Sequence, residues 1–176
     1  MKLTPVMQKF VLHWGEMGSR WGVNRTVAQI HALLYLAKEP LTAEDITDTL
    51  GVARSNVSTS LRELQSWGLV KVVHVLGDRR DHFESMKDVW DIFLVIVEQR
   101  KRRELDPTLT TLRECVLESA DERATDPEIK QRIAATLEFL EQLTGWYEQM
   151  KHLDHGTLIK LMALGTKIQG LLGKRG

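Results

Sequence analysis

Between Leu41 and Ser85 the chain reads LTAEDITDTLGVARSNVSTSLRELQSWGLVKVVHVLGDRRDHFES, and the order of hydrophobic periods here constrains the fold more than any other feature. Thr42 is a good N-cap, because its oxygen can accept an orphan helical N–H. Glu44 and Asp45 follow in the first turn, where the helix dipole favours negative charge. Ala43, Ile46 and Leu50 recur at helical spacing, and Gly51 ends the helix as a residue that tolerates positive φ. After Val52 a second helix is predicted from Arg54 to Trp67, with Val57, Leu61 and Leu64 as its buried stripe, and Gly68 stops it. The period then changes. The valine-rich run Leu69–Leu76, bounded by Gly68 and Gly77, reads as a strand; Gly77–Arg80 is a turn, and Asp81–Ser85 returns as a second strand.

Helix, turn, helix, strand, basic turn and strand, in that order, make a winged helix-turn-helix. This module sets its second helix in the DNA major groove with a β-hairpin beside it. Opposite the buried stripe that helix carries Arg54, Ser55, Asn56, Ser58, Thr59 and Arg62. Short side chains let the backbone approach, and Asn or Arg can bond base edges. Ser55, Asn56, Ser58 and Thr59 are therefore candidates for contact at or near the bases. Arg54, Arg62, Arg79 and Arg80 are candidates for phosphates or the minor groove, and Arg25, at a helix start, for a further backbone contact.

The flanking segments complete a mainly α fold with a small β-hairpin wing. Residues 4–18 are predicted helical, with Val6, Phe10 and Trp14 at four-residue spacing and Gly15 and Gly18 at a fraying end. Asn24 caps a helix that runs to Pro40. Beyond the wing everything reads as helix. Met86–Leu105 starts strongly apolar and ends charged, so it is expected to be buried on more than one side. Asp106-Pro107 and Asp126-Pro127 each read as an N-cap followed by proline at the first helical position. These signals give helices over about 107–122 and 127–151. Ile129, Ile133, Leu137, Leu140, Thr144 and Tyr147 form a near-heptad seam. A last apolar helix after Gly156 contains Leu158, Leu161, Met162, Leu164, Ile168 and Leu171. The expected organisation is a DNA-binding domain over residues 1–87 and a helical dimerisation and effector-sensing region over 88–176. A dimer suits the function, because two recognition helices one helical turn apart need a two-fold axis and a pseudo-palindromic site.

Composition excludes several alternatives. Lys and Arg number 24, equal to Asp plus Glu, so the chain has no excess charge for coating nucleic acid indiscriminately. Residues 50–80, however, hold five basic side chains against two acidic ones, a local surplus that suits a few placed phosphate contacts. A single cysteine rules out an intrachain disulfide framework and fits a reducing compartment. No apolar run is long enough to span a bilayer, and the N-terminus lacks the apolar core of a secretory signal. Phosphate-loop, GxSxG and HExxH patterns are absent, so no enzyme is expected. His152 and His155, three apart, would share a helix face able to bind a transition metal with Cys115 or another histidine. Gly156 suggests a helix break there, however, and Cys115 lies on an apolar helix side where cysteines are usually inert; no metal or cofactor is expected. The alternative from another class is a winged-helix protein–protein adaptor without DNA specificity of its own. It would present an exposed apolar patch where this chain presents arginines.

Three stretches, GVNRTVAQIHALLYL, LTAEDITDTLGVARSNVSTSLRELQSWGLV and the wing GDRRDHFES, resemble the GbsR branch of the MarR-type transcriptional regulators. The resemblance is densest from Trp21 to Ser85. It implies a prokaryotic, cytoplasmic homodimer that binds double-stranded DNA, usually as a repressor, with Arg54–Trp67 as the recognition helix and Arg79 or Arg80 at DNA. Some members of the group respond to choline. A quaternary ammonium is held by aromatic faces, and Trp14, Trp21, Tyr35, Trp90, Trp146 and Tyr147 are the candidate walls for such an effector.

Overall fold

In the computed structural model, which describes residues 1–122 and 124–172, the chain divides into two compact units, residues 1–96 and 97–176. In the first unit α1 (Pro5–Arg20) begins at Thr4, whose hydroxyl accepts the Met7 N–H, with proline in the first turn. Asn24 caps α2 (Arg25–Leu36) by accepting the Thr26 N–H. Gly15 and Gly18 do not fray. Both are buried inside α1, because this is where α1 crosses α2. A Cβ on Gly18 would stand 2.5 Å from the Ala28 Cβ, so the two backbones approach as closely as they do only through glycine.

Strand β1 (Leu41–Thr42) leads directly into α3 (Ala43–Leu50) through a capping box. The Thr42 hydroxyl takes the Asp45 N–H at 3.1 Å while the Asp45 carboxylate takes the Thr42 N–H at 2.9 Å. These bonds hold the Asp45 carboxyl below its ordinary range. Gly51, at φ +64, closes α3 in the left-handed conformation. Helix α4 (Arg54–Ser66) follows, then β2 (Val70–Val73) and β3 (His82–Ser85). The strands are shorter than the valine-rich run suggested, since pairing stops where Val73 meets His82. Strand β3 is central, antiparallel to β2 on one side and to β1 on the other, in the order β1-β3-β2. The third strand is not evident in the sequence: two residues carry no period, and their register with Phe83 and His82 depends on the tertiary fold.

Helix α2 is the centre of the core. Ile30, Leu33 and Leu34 are almost wholly buried against Ile46, Val57, Leu61, Leu64, Leu69, Val70, Phe83 and Ile92. Burying each such side chain is worth about 1.5–3 kcal/mol relative to leaving it exposed. The helix ends at Leu36, before Pro40. There the Lys87 ammonium donates to the carbonyls of Leu34, Tyr35 and Ala37 at 2.7, 2.9 and 2.7 Å, satisfying helix-end acceptors otherwise left orphaned.

The predicted Met86–Leu105 helix begins later, as α5 (Val89–Arg100), capped by Asp88, which accepts the Trp90 and Asp91 N–H groups. Only Ile92 of α5 is buried; Val89 and Phe93 are more than half exposed. The chain then passes through a π-helical turn (Lys101–Leu105) into α6 (Asp106–Asp121) without a break. Asp106 is thus helical rather than an N-cap, and its carboxylate takes the Lys101 ammonium at 2.9 Å. Asp126, by contrast, caps α7 (Pro127–Met150) as expected, accepting the Glu128 N–H. Helix α8 (His155–Leu172) starts one residue before Gly156. In the second unit α6 packs on α7, with Leu109 and Thr144 buried and Arg113 bonded to Glu141 at 2.9 Å. Of the near-heptad seam, Ile133, Leu137, Leu140, Thr144 and Tyr147 are covered while Ile129 is exposed. A second apolar stripe on α7, Phe139, Leu143 and Trp146, faces solvent. The side chains of Met162, Ile168 and Leu171 lie outside those described.

Candidate nucleic-acid interface

The binary pattern of α4 fixes which of its sides is free. Val57, Ser60, Leu61 and Leu64 are buried, and this turns Arg54, Ser55, Asn56, Ser58, Thr59 and Arg62 to the exterior. Ser60 was not singled out by the sequence pattern. It is a small polar residue within the buried stripe, where α4 lies against α2. At the N-terminus of α4 Ala53 provides no side-chain cap. The first N–H groups and the positive end of the helix dipole thus lack a side-chain acceptor, an arrangement suited to phosphate.

The arginines of α4 are held loosely. Arg54 pairs with Glu44 of α3 at 3.0 Å, but both side chains are well exposed, and such pairs contribute little. Arg62 reaches the Thr59 hydroxyl at 3.5 Å. On the wing Arg80 is held more firmly. Its Nε donates to both Asp78 carboxylate oxygens at 3.0 Å, and its backbone N–H donates to the same carboxylate. These bonds keep the Asp78 carboxyl well below the usual carboxylate range and raise the Arg80 pKa. His82 braces the arrangement, its Nδ1–H donating to the Arg80 carbonyl at 3.0 Å. Arg79 is exposed and, among the described residues, has no ion-pair partner.

Arg54, Ser58, Arg62 and Arg80 converge on one groove of about 390 Å³ between α4 and the wing, floored by Leu61, Val72 and Phe83. Ser55, Asn56 and Thr59 flank it on the exposed side of α4, whereas Arg79 and Arg25 do not line it. Arg25 is exposed at the start of α2. Glu44, Gln65 and Asp81 also line the groove and were not expected. Glu44 reads from the sequence only as a first-turn acid, and its place opposite Arg54 depends on how α3 meets α4.

The six aromatic residues fall into separate settings. In the first unit Trp14 and Tyr35 both stack on Phe10, at 5.4 and 6.3 Å between ring centroids, and Trp14 also tilts against His31. Trp21 is 46% exposed at the end of α1, and Trp90 meets Phe93 edge-on at 6.2 Å. In the second unit Trp146 is 60% exposed. There the Tyr147 hydroxyl donates to Glu98, and the Lys151 ammonium stands 5.9 Å from its ring, already using that aromatic face. His152 lies between α7 and α8 while His155 opens α8, so the two do not share a helix face. Cys115 is a free, half-buried thiol on α6.

Residues 21–81 match the model of the MarR family. Over longer spans the chain is 23% identical to the HTH-type transcriptional repressor GbsR of Bacillus subtilis (strain 168), covering 84% of this chain and 85% of that protein. It is 20% identical to the putative HTH-type transcriptional regulator YvaV of the same organism, covering 82% of each. A solved structure described as a transcriptional regulator superposes with a TM-score of 0.63 over 83% of this chain and 95% of its own, at 19% identity, a likeness of fold. Regulators of the matched family are typically DNA-binding proteins without enzymatic activity. No helix among the described residues is long and apolar enough to cross a membrane. Residues 21–81 thus resemble the MarR family, and the chain has a winged helix-turn-helix fold.

Proposed function

We propose that this protein is a cytoplasmic, homodimeric repressor of the GbsR type that reads a pseudo-palindromic operator and responds to a small-molecule effector. The observation that carries the reading is the groove between α4 and the wing, where Arg54, Arg62 and Arg80 surround Ser58 beside an exposed row of Ser55, Asn56 and Thr59. Cations at the rim and short hydrogen-bonding side chains along the helix are what phosphate positioning and base readout require. The exposed row of α4 argues against a protein–protein adaptor, since its residues are charged or polar rather than a contiguous apolar patch.

Self-association is supported by the second unit taken alone. Leu117, Phe139, Leu143, Trp146, Ile159 and Leu164 are large, apolar and 43–72% exposed, an amount of uncovered surface that ordinarily meets another protein. Residues 1–87 then serve as the DNA-binding domain and 88–176 as the dimerisation and sensing region. The effector reading rests on aromatic residues that can serve as walls for a quaternary ammonium, Trp14, Trp21, Tyr35 and Trp90 in the first unit and, separately, Trp146 and Tyr147 in the second. Titration calorimetry with choline on the wild type and on Trp90→Ala tests it, and equal binding by both removes Trp90 from the cage.

Selection from a random duplex library at physiological salt tests the main reading. An enriched inverted repeat, with half-sites about one helical turn apart, is the expected result. Asn56→Ala then relaxes the preference at one base by about 1–3 kcal/mol, while Arg62→Ala weakens all sequences alike and flattens the salt dependence. Absence of enrichment, with and without choline, overturns the reading.

A further inference from the structure

Among the large apolar residues at the described surface, Leu76 at the tip of the wing is the most exposed, at 103%, and Val75 beside it is 42% exposed. The local geometry is well defined. The Asp78 N–H donates to the Val75 carbonyl at 3.1 Å, and Gly77, third residue of this four-residue turn, has φ +86. A positive φ at that position marks a type II turn, so Leu76 occupies its outer corner. Gly77 supplies what the turn needs, and residues with polar side chains or proline serve the corner equally well. Leu76 therefore contributes nothing to the turn and is not part of the core.

We propose that Leu76 is an apolar wedge that enters the DNA minor groove from the wing; the proposal rests on the DNA-binding reading above. Proteins that bind this groove combine cationic side chains, which follow its negative potential, with an aliphatic or aromatic residue pushed between base steps. Both components are present within five residues, since Arg79 and Arg80 follow the corner closely. Asp78 couples them. Its N–H closes the turn beneath Leu76, and its carboxylate fixes the Arg80 guanidinium. The wedge and one of its cations thus keep a set spacing before DNA arrives, and less order has to be imposed on binding. Insertion unstacks a base step and bends the duplex, so the inference predicts a deformation that side-chain contacts in the major groove alone do not require.

Wild type, Leu76→Ser, Leu76→Met and Arg62→Ala are compared on the selected duplex by fluorescence anisotropy and by circular-permutation gels that report bending. Thermal melting checks that each variant is folded. Leu76→Ser is expected to lose about tenfold in affinity, the scale of a leucine denied burial, together with the bend. Leu76→Met keeps both, and Arg62→Ala loses affinity but keeps the bend. Wild-type affinity and bending in Leu76→Ser, with Arg62→Ala still weakened, overturn the wedge and leave the DNA reading standing. A change of sedimentation in Leu76→Ser with bending intact assigns the residue to a protein contact and also overturns it. A wild type that enriches no duplex overturns both.

Discussion

His31 offers the sharpest test of the core. It lies on α2, only 4% exposed, with its Nε2 lacking a hydrogen-bond partner among the described residues and its ring 6.4 Å from that of Trp14. Burial, reinforced by the nearby Lys87 ammonium, lowers its pKa from 6.5 to about 4. The unfolded chain therefore binds a proton through this range that the folded chain refuses. Stability from this residue is fully present above pH 6.5 and is lost as the pH falls toward about 4. The whole displacement corresponds to about 3 kcal/mol, of which roughly 2 kcal/mol disappears between about pH 7 and pH 5. Substituting His31→Leu removes the ionisable group without breaking a bond at Nε2, so its cost near neutrality is expected to stay below about 1.5 kcal/mol. Urea denaturation of both proteins at about pH 7, 6 and 5 then shows the wild type losing roughly 2 kcal/mol more than the variant. Parallel pH profiles refute the reasoning, as does an NMR titration in which His31 protonates at its ordinary pH.

Three further outcomes follow from packing. Gly18→Leu drives a Cβ to within 2.5 Å of the Ala28 Cβ, and thermal melting should show a loss of about 1–3 kcal/mol from overpacking. Lys87→Met strips the cation from the carbonyls of Leu34, Tyr35 and Ala37; a loss of about 2 kcal/mol in urea denaturation is expected, and an unchanged midpoint contradicts the capping role. Phe139→Glu combined with Trp146→Glu places charge on the exposed stripe of α7. Sedimentation velocity should report weaker self-association, while the monomer's stability changes by no more than about 0.5 kcal/mol per site.

The parts of this fold that were legible in the sequence are those specified by neighbouring residues. Thr42 with Asp45, Gly51 after Leu50, and the change from helical to strand period after Gly68 each act within a few residues, and each appears where the pattern puts it. The exposed row Arg54–Arg62 follows from the same logic, because burying Val57, Leu61 and Leu64 determines what is left outside. Features that needed distant partners were not legible. Strand β1 exists only because β3 lies beside it, and Lys87 finds its acceptors 50 to 53 positions away. Gly15 and Gly18 looked like helix ends because the local cost of glycine is visible while the helix crossing that requires it is not. Asp106-Pro107 carries a valid start signal, but proline is also tolerated after a preceding π-helical turn, and the carboxylate was taken by Lys101 instead of a backbone N–H.

The position of Thr42 has a consequence for how force on the wing is carried. One residue is at once the last of β1, in register with His82, and the cap of α3. His82 is also the first residue of β3 after the turn, paired with Val73, and its Nδ1–H donates to the Arg80 carbonyl. The apex of the wing is thus coupled through a single rung to the start of α3, and a load applied at the tip is passed to the helix beside it.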